Sequence, residues 1–334
     1  MKIIKSNNKD DNGRFATKIR IGSRDSKLAL IQTADVISKI NALFPEISCE
    51  IYKIKTSGDK ITDRALYEVG GKALFIKELE DAIINKDIDV AVHSAKDLPP
   101  FISSKTKISA TLARAKVEDC LVSNLYNNLN SLPSNAIIGT CSPRRKAILE
   151  KISYDLGYDW QISPLRGNIE TRINKLDKKQ YDAIILASCA LERLGYENRI
   201  SSILAKDEFI PAGGQGFLVV QSGAENSSIN KIIKEINNGI GELELLSERT
   251  FLQNLGASCF SPVSVYAKIN NSLLNIKAKI YSSNGLESFY QSVNCPIDFN
   301  NNNDAIKTAV NAGIDLANIF KEQARDLLQK IICN

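Results

Sequence analysis

The chain has 334 residues, more than one ordinary core accommodates, so two or three domains are expected. Hydrophobic residues make up 43% and charged residues 24%, a soluble globular composition, and a net charge of +5 is too modest for a broad nucleic-acid-binding surface. Seven cysteines without a C-x-x-C pair, and a single histidine, argue against a disulfide framework and against zinc, and fit a reducing cytosol.

Residues 1–17 carry no apolar stretch of signal-peptide type and read as a frayed tail, and no run is long enough to span a bilayer. From residue 18 a grammar repeats: a short β-branched run, a polar loop, an apolar-periodic segment. "KIRIG" predicts a strand and "KLALIQTADVISKI" a helix with Leu30, Ala34 and Ile37 on its inner face. "CEIYKIKTSGD" predicts a second strand, "ALFIKELEDAIIN" a helix facing inward through Ile76, Leu79 and Ile83, and "DIDVAV" a strand running into His93–Asp97. "NAIIGT" then leads into "CSPRRKAILEKI", where Ser142 is placed to cap a helix and Pro143 sits in its first turn. "WQISPL" precedes a helix with Ile169, Ile173 and Leu176 on one face, and "DAIILAS" runs into "CALERLG". Alternating strands and helices imply βαβ units and largely parallel sheets in two lobes. After about residue 236 comes a helix, "ELELLSERTFLQNLG", then three strands with turns at Asn270-Asn271 and Asn284-Gly285. A closing helix with Ile306, Val310, Ile314 and Ala317 on its stripe completes a third, α+β domain. The expected division is 18–113 with 214–236, then 114–213, then 237–334.

In open α/β sheets, ligands bind beyond the carboxyl ends of the strands. Those loops carry Arg24 and Ser26; Lys72; Ser94, Lys96 and Asp97; Thr140, Ser142, Arg144 and Arg145; Arg166 and Arg172; and Arg193. Taken singly, each is an ordinary solvated charge. Together they point to a small polyanion between two lobes. Arg144-Arg145 in a first helical turn opposes the helix dipole and calls for a compensating anion. Asp97 reads either as a helix cap or as a carboxylate that stabilises positive charge in a cationic cleft. His93 ends an apolar strand and reads as a buried, hydrogen-bonded support. Cys259, among small residues after a helix end, reads either as a buried hydrophobe or as an accessible thiol.

"IRIGSRDSKLALIQ", "KTSGD", "GGKALFIKELEDAI", "DVAVHSAKDLP", "IGTCSPRR", "LRGNIETR", "DAIILASCALERLG", "PAGGQG" and "LGASCFSPVSVYA" occur in the order found in the porphobilinogen deaminase (hydroxymethylbilane synthase) family, which the chain resembles from Lys18 to its last helix. The resemblance implies two periplasmic-binding-protein-like lobes, a smaller C-terminal domain and a covalent dipyrromethane cofactor on Cys259. It implies that four porphobilinogens are added to that primer with loss of ammonia, and that water releases the tetrapyrrole. Asp97 matches the catalytic aspartate. Arg24, Ser26, Ser94, Lys96, Thr140, Ser142, Arg144, Arg145, Arg166 and Arg172 match carboxylate-binding positions, with Lys72 alongside, Phe75 an aromatic beside the site and Gln215 a polar contact. A cytoplasmic monomer that passes its product to uroporphyrinogen-III synthase is the corresponding expectation. The chain departs from the family pattern at Ala257-Ser258, usually two glycines, at Pro143, at Gly213 and in the hinge segment "RAKVED". A non-enzymatic anion-binding protein on the same frame would leave Asp97 and Cys259 without a task, and a nucleic-acid binder would need a broader basic surface.

Overall fold

The computed structural model describes residues 18–56, 76–258 and 261–332. Lys72, Phe75, Cys259 and the tail 1–17 lie outside the described residues.

Lobe 1 is a five-stranded sheet in the order β2-β1-β3-β10-β4, built from β1 (Lys18–Arg24), β2 (Ser48–Ile54), β3 (Val90–Ser94), β4 (Thr106–Thr111) and β10 (Leu218–Gly223). Helices α1 (Lys27–Leu43), α2 (Lys77–Ile84) and α6 (Ser227–Lys234) cover it. Lobe 2 repeats the plan in the order β7-β6-β8-β5-β9, from β5 (Asp119–Val122), β6 (Ile137–Gly139), β7 (Gln161–Ser163), β8 (Ala183–Ala187) and β9 (Ser202–Ile203). Its helices are α3 (Pro143–Asp155), α4 (Ile169–Asp177) and α5 (Ser188–Leu194).

The expected parallel sheets are mixed. β10 runs antiparallel to β3 and β4, and β5 antiparallel to β8 and β9. The chain crosses between the lobes twice, and each crossing delivers a strand that enters its sheet against the βαβ direction. Capping follows the sequence: Ser142 Oγ accepts from Arg145 N, with Pro143 opening α3. The face of α1 does not follow it, because Gln32, Thr33, Val36 and Ile40 are buried, Leu30 and Ile37 are half-buried, and Ala34 is exposed. The polar Gln32 turns inward because it meets Ser94 across the lobe, with Nε2 donating to Oγ at 3.0 Å.

The third domain packs α7 (Gly239–Leu255), α8 (Asn302–Gln323) and α9 (Arg325–Ile332) on an antiparallel meander of β11 (Val263–Asn270), β12 (Leu273–Tyr281) and β13 (Ser288–Pro296). The expected stripe on α8 is displaced: Ala305, Ala309, Ala312, Leu316 and Ala317 are buried with Phe320, whereas Ile306, Val310 and Ile314 are half-buried. Small side chains face inward because α7 approaches closely. A Cβ on Gly313 would meet Ser247 O at 2.5 Å. Gly285, in the β12–β13 turn, touches lobe 2; a Cβ there would run into the carbonyl of Ala147 on α3.

β11 is an edge strand, yet its outward N–H groups are satisfied. Val265 N donates to Pro211 O, Ala267 N to Glu248 Oε1 and Ile269 N to Glu244 Oε1, at 3.1, 2.7 and 3.0 Å. Glu248 also anchors the junction of the three domains. Its carboxylate accepts from Gly214 N at 2.6 Å and pairs with Arg114 Nη1 at 2.7 Å. Arg114 donates to Gln215 O and Ala267 O, and its guanidinium lies between the Phe217 and Tyr266 rings.

Candidate active site

A cleft of about 780 Å³ opens between the lobes. Its floor on the lobe 1 side is the short turn Ala95–Asp97 that follows β3, and its far wall is built by the start of α4 and by α3. Lobe 1 supplies Arg24, Ser26, Ser94, Lys96 and Asp97 to the lining; lobe 2 supplies Arg145, Arg166 and Arg172. Gln32, Lys55, Asn168, Thr171, Lys175 and Arg193 join them. Of these six, only Arg193 is among the strand-to-helix loop residues that the sequence singles out. Lys175 could have been found from its i+3 spacing to Arg172, since one helical turn puts both on the same face. Among the described residues the lining holds eight cationic side chains against Asp25, Asp97 and Glu170.

That imbalance is held in place by buried structure. Asp119, at the start of β5 and fully buried, bonds both adjacent arginines. Arg144 Nη2 donates to its Oδ2 at 2.5 Å and Arg145 Nη2 to its Oδ1 at 2.6 Å. The anion that the double arginine required therefore lies inside the chain. Burial opposes ionisation of Asp119, but the Arg144 and Arg145 charges outweigh it and hold the carboxyl well below the usual carboxylate range. Arg144 gives its other nitrogen to Ile210 O at 2.8 Å and does not line the cleft. Arg145 does, with one Nη bound to Ile185 O and a buried Nε that makes no hydrogen bond among the described residues.

Thr140, Ser142 and Gln215, read as lining residues, also lie off the wall. Thr140 Oγ1 accepts from Ser142 N at 3.2 Å, and Ser142 caps α3, so both shape the loop beneath Arg145. Gln215 is 1% exposed, with its amide engaged by protein on every side. Its Nε2 donates to Val117 O and Asp119 Oδ1, and its Oε1 accepts from Lys96 Nζ at 3.4 Å. Asp97, by contrast, is exposed to the cleft. Burial, and then the Arg145 charge, lower the proton affinity of Lys96, and the same two causes act on Arg172.

His93 is buried opposite Val219, and burial pushes its pKa down to about 4, so it is neutral near pH 7. Its expected hydrogen bond is missing at one nitrogen: Nε2 has no partner at bonding distance among the described residues. His93 does not line the cleft, whereas Ser94, Lys96 and Asp97, which follow it, do.

The sequence model for the porphobilinogen deaminase dipyrromethane cofactor binding domain matches residues 19–231, and that for the porphobilinogen deaminase C-terminal domain matches residues 242–322. The chain belongs to the porphobilinogen deaminase family. A porphobilinogen deaminase of Nitrobacter winogradskyi is 38% identical over 307 residues, covering 91% of this chain and 93% of its own. One from Rickettsia prowazekii is 43% identical over 252 residues, covering 75% and 83%. One from Neisseria meningitidis serogroup B is 37% identical over 282 residues, covering 84% and 89%. Among solved structures, a nutrient binding protein from Burkholderia cenocepacia bound to methionine is 11% identical, covering 64% of this chain and 89% of its own at a TM-score of 0.41. As a porphobilinogen deaminase the chain is a transferase of tetrapyrrole biosynthesis that joins four porphobilinogens with loss of ammonia, and its cofactor is dipyrromethane. The donor set fits such a group. Each pyrrole carries an acetate and a propionate, and the cleft offers guanidinium and ammonium groups from both lobes to meet them.

Proposed function

We propose that Asp97 is the catalytic carboxylate of this deaminase and that the cationic cleft around it binds the carboxylates of substrate and growing chain. The observation that carries the reading is the exposed Asp97 on the floor of a cleft otherwise dominated by cations from two lobes. Loss of ammonia leaves porphobilinogen electron-poor at its methylene carbon. A carboxylate beside the pyrrole N–H accepts that hydrogen bond and balances the developing positive charge. Arg24, Ser26, Ser94, Lys96, Arg145, Arg166 and Arg172 hold the acetate and propionate groups and fix the ring over Asp97. Arg144, Thr140 and Ser142 act from behind the wall by holding Arg145 and its loop. Lys72 and Phe75 belong to the same set by their sequence motif.

Cys259 is the attachment point of the dipyrromethane, through a thioether. When bound, that group supplies the free pyrrole position at which each new unit is joined. Water releases the finished tetrapyrrole, a linear and reactive product that a cyclising synthase, uroporphyrinogen-III synthase, must consume. Residues 18–113 with 214–236 form the first domain, 114–213 the second and 237–334 the third. The working form is a cytoplasmic monomer; no helix among the described residues is long and apolar enough to cross a membrane.

The test is the intact denatured mass of the wild type beside Cys259→Ser, with turnover of Asp97→Ala. Wild type heavier by two linked pyrroles, a bare Cys259→Ser chain and a folded but inactive Asp97→Ala chain are expected. A bare wild type that stays bare after incubation with porphobilinogen, or near-normal turnover by Asp97→Ala, overturns the assignment.

A further inference from the structure

The cleft sets two cations from opposite lobes against one another: Lys96 after β3, and Arg145 in the first turn of α3. Nothing in either lobe alone fixes their separation, and their charges repel. A continuous chain of hydrogen bonds joins them. Arg145 Nη2 donates to Asp119 Oδ1 at 2.6 Å, Gln215 Nε2 donates to that same oxygen at 2.9 Å, and Lys96 Nζ donates to Gln215 Oε1 at 3.4 Å.

The two middle members sit where the chain crosses between the lobes. Asp119 follows the outgoing crossing directly, and Gln215 lies in the returning one. These crossings are themselves bound side by side, through Ala115 N to Gly216 O and Gln215 Nε2 to Val117 O. An amide is the group this position requires. It donates to a carboxylate on one side and accepts from an ammonium on the other, whereas a carboxylate there would repel Asp119 and a hydrocarbon would join neither.

We propose that Asp119 and Gln215 are positioning residues that hold Lys96 and Arg145 at one fixed spacing across the cleft, so that a substrate carboxylate meets both. The proposal rests on the reading of the cleft as the deaminase active site. It moves Gln215 from a substrate contact to a strut, and it gives Asp119 a function that reaches past its own two arginines.

The experiment is a double-mutant cycle on cofactor-loaded protein, with Gln215→Met and Lys96→Met, reading kcat and KM for porphobilinogen. Gln215→Met alone is expected to lower kcat/KM roughly tenfold, mostly through KM, in a variant that still folds. With Lys96 already methionine, the same change is expected to cost less than about threefold, because the strut then has nothing to hold. Losses that multiply in an active enzyme overturn the proposal and return Gln215 to an independent role. Asp119→Asn, if soluble, is expected to be non-multiplicative with Gln215→Met in the same way, and multiplicative losses would remove Asp119 from the link. If Asp119→Asn does not fold, the Gln215–Lys96 cycle decides alone. A wild type that carries no primer and turns over no porphobilinogen sinks the active-site reading itself, which additivity in an active enzyme would not.

Discussion

Replacing Glu248 by glutamine keeps the shape of the side chain and exchanges one carboxylate oxygen for an NH₂. The site has only donors to offer it. Oε1 receives Arg114 Nη1 and Ala267 N, and Oε2 receives Arg114 Nη2 and Gly214 N. Whichever way the amide turns, two donors face a donor and the Arg114 guanidinium loses its counter-charge in a fully buried place. Breaking such a pair costs about 3–5 kcal/mol. Arg114 keeps the carbonyls of Gln215 and Ala267, both at 2.9 Å, and the faces of Phe217 and Tyr266 at 4.3 and 4.8 Å, which places the loss at the lower end. At about 2.1 cal/mol/K of unfolding entropy per residue, about 3 kcal/mol corresponds to a fall in melting temperature of roughly 4 °C for a chain of 334 residues. Scanning calorimetry of wild type, Glu248→Gln, Arg114→Met and the double variant is the assay. The double variant should lose less than the two singles combined, since removing both charges leaves neither stranded. A fall below about 2 °C for Glu248→Gln, or full additivity, would refute the reasoning.

Lys96→Arg should shift the alkaline limb of activity. Burial and Arg145 lower the proton affinity of Lys96, so its charge, and with it affinity for carboxylates, is lost as pH rises, before the ordinary lysine range is reached. The guanidinium stays charged there, so KM measured from about pH 7 to about pH 10 should rise in wild type and stay flatter in Lys96→Arg; identical profiles would reject the assignment. His93 gives an acid signature. The unfolded chain takes up its proton near 6.5 and the folded one only near 4, so stability present above the former is lost as pH falls toward the latter, by up to about 3 kcal/mol. Urea titrations across that window should show a shallower slope for His93→Phe, and an equal slope would place the loss elsewhere.

Much of this molecule can be read in one dimension because its signals are local. The Ser142 cap and Pro143 act within one turn, and the strand-to-helix loops carry most of the lining cations in plain sight. What escaped is what depends on partners far along the chain. Asp119 is 25 residues from Arg144 and 96 from Gln215, so the charge demanded by the double arginine was visible while its supplier was not. Strand β10 is short, buried along all but its last residue and without alternation of apolar and polar positions, and nothing in "FLVVQS" tells its direction. On α8 the larger side chains suggested the stripe, whereas the close approach of α7 selected alanines and glycine for the interior.

The closed edge of β11 also bears on how the chain is made. Pro211, Glu244 and Glu248 all precede Val265, Ala267 and Ile269, so during synthesis from the amino end each acceptor leaves the ribosome before the N–H it will bind. A nascent chain thus has the cover for this strand in hand before the strand emerges, and the open edge has little time to recruit a strand from a neighbouring polypeptide. A variant that loses Glu244 would be exposed to that hazard chiefly while being born, and its cost would appear as insoluble product before it appeared in the properties of the molecules that did fold.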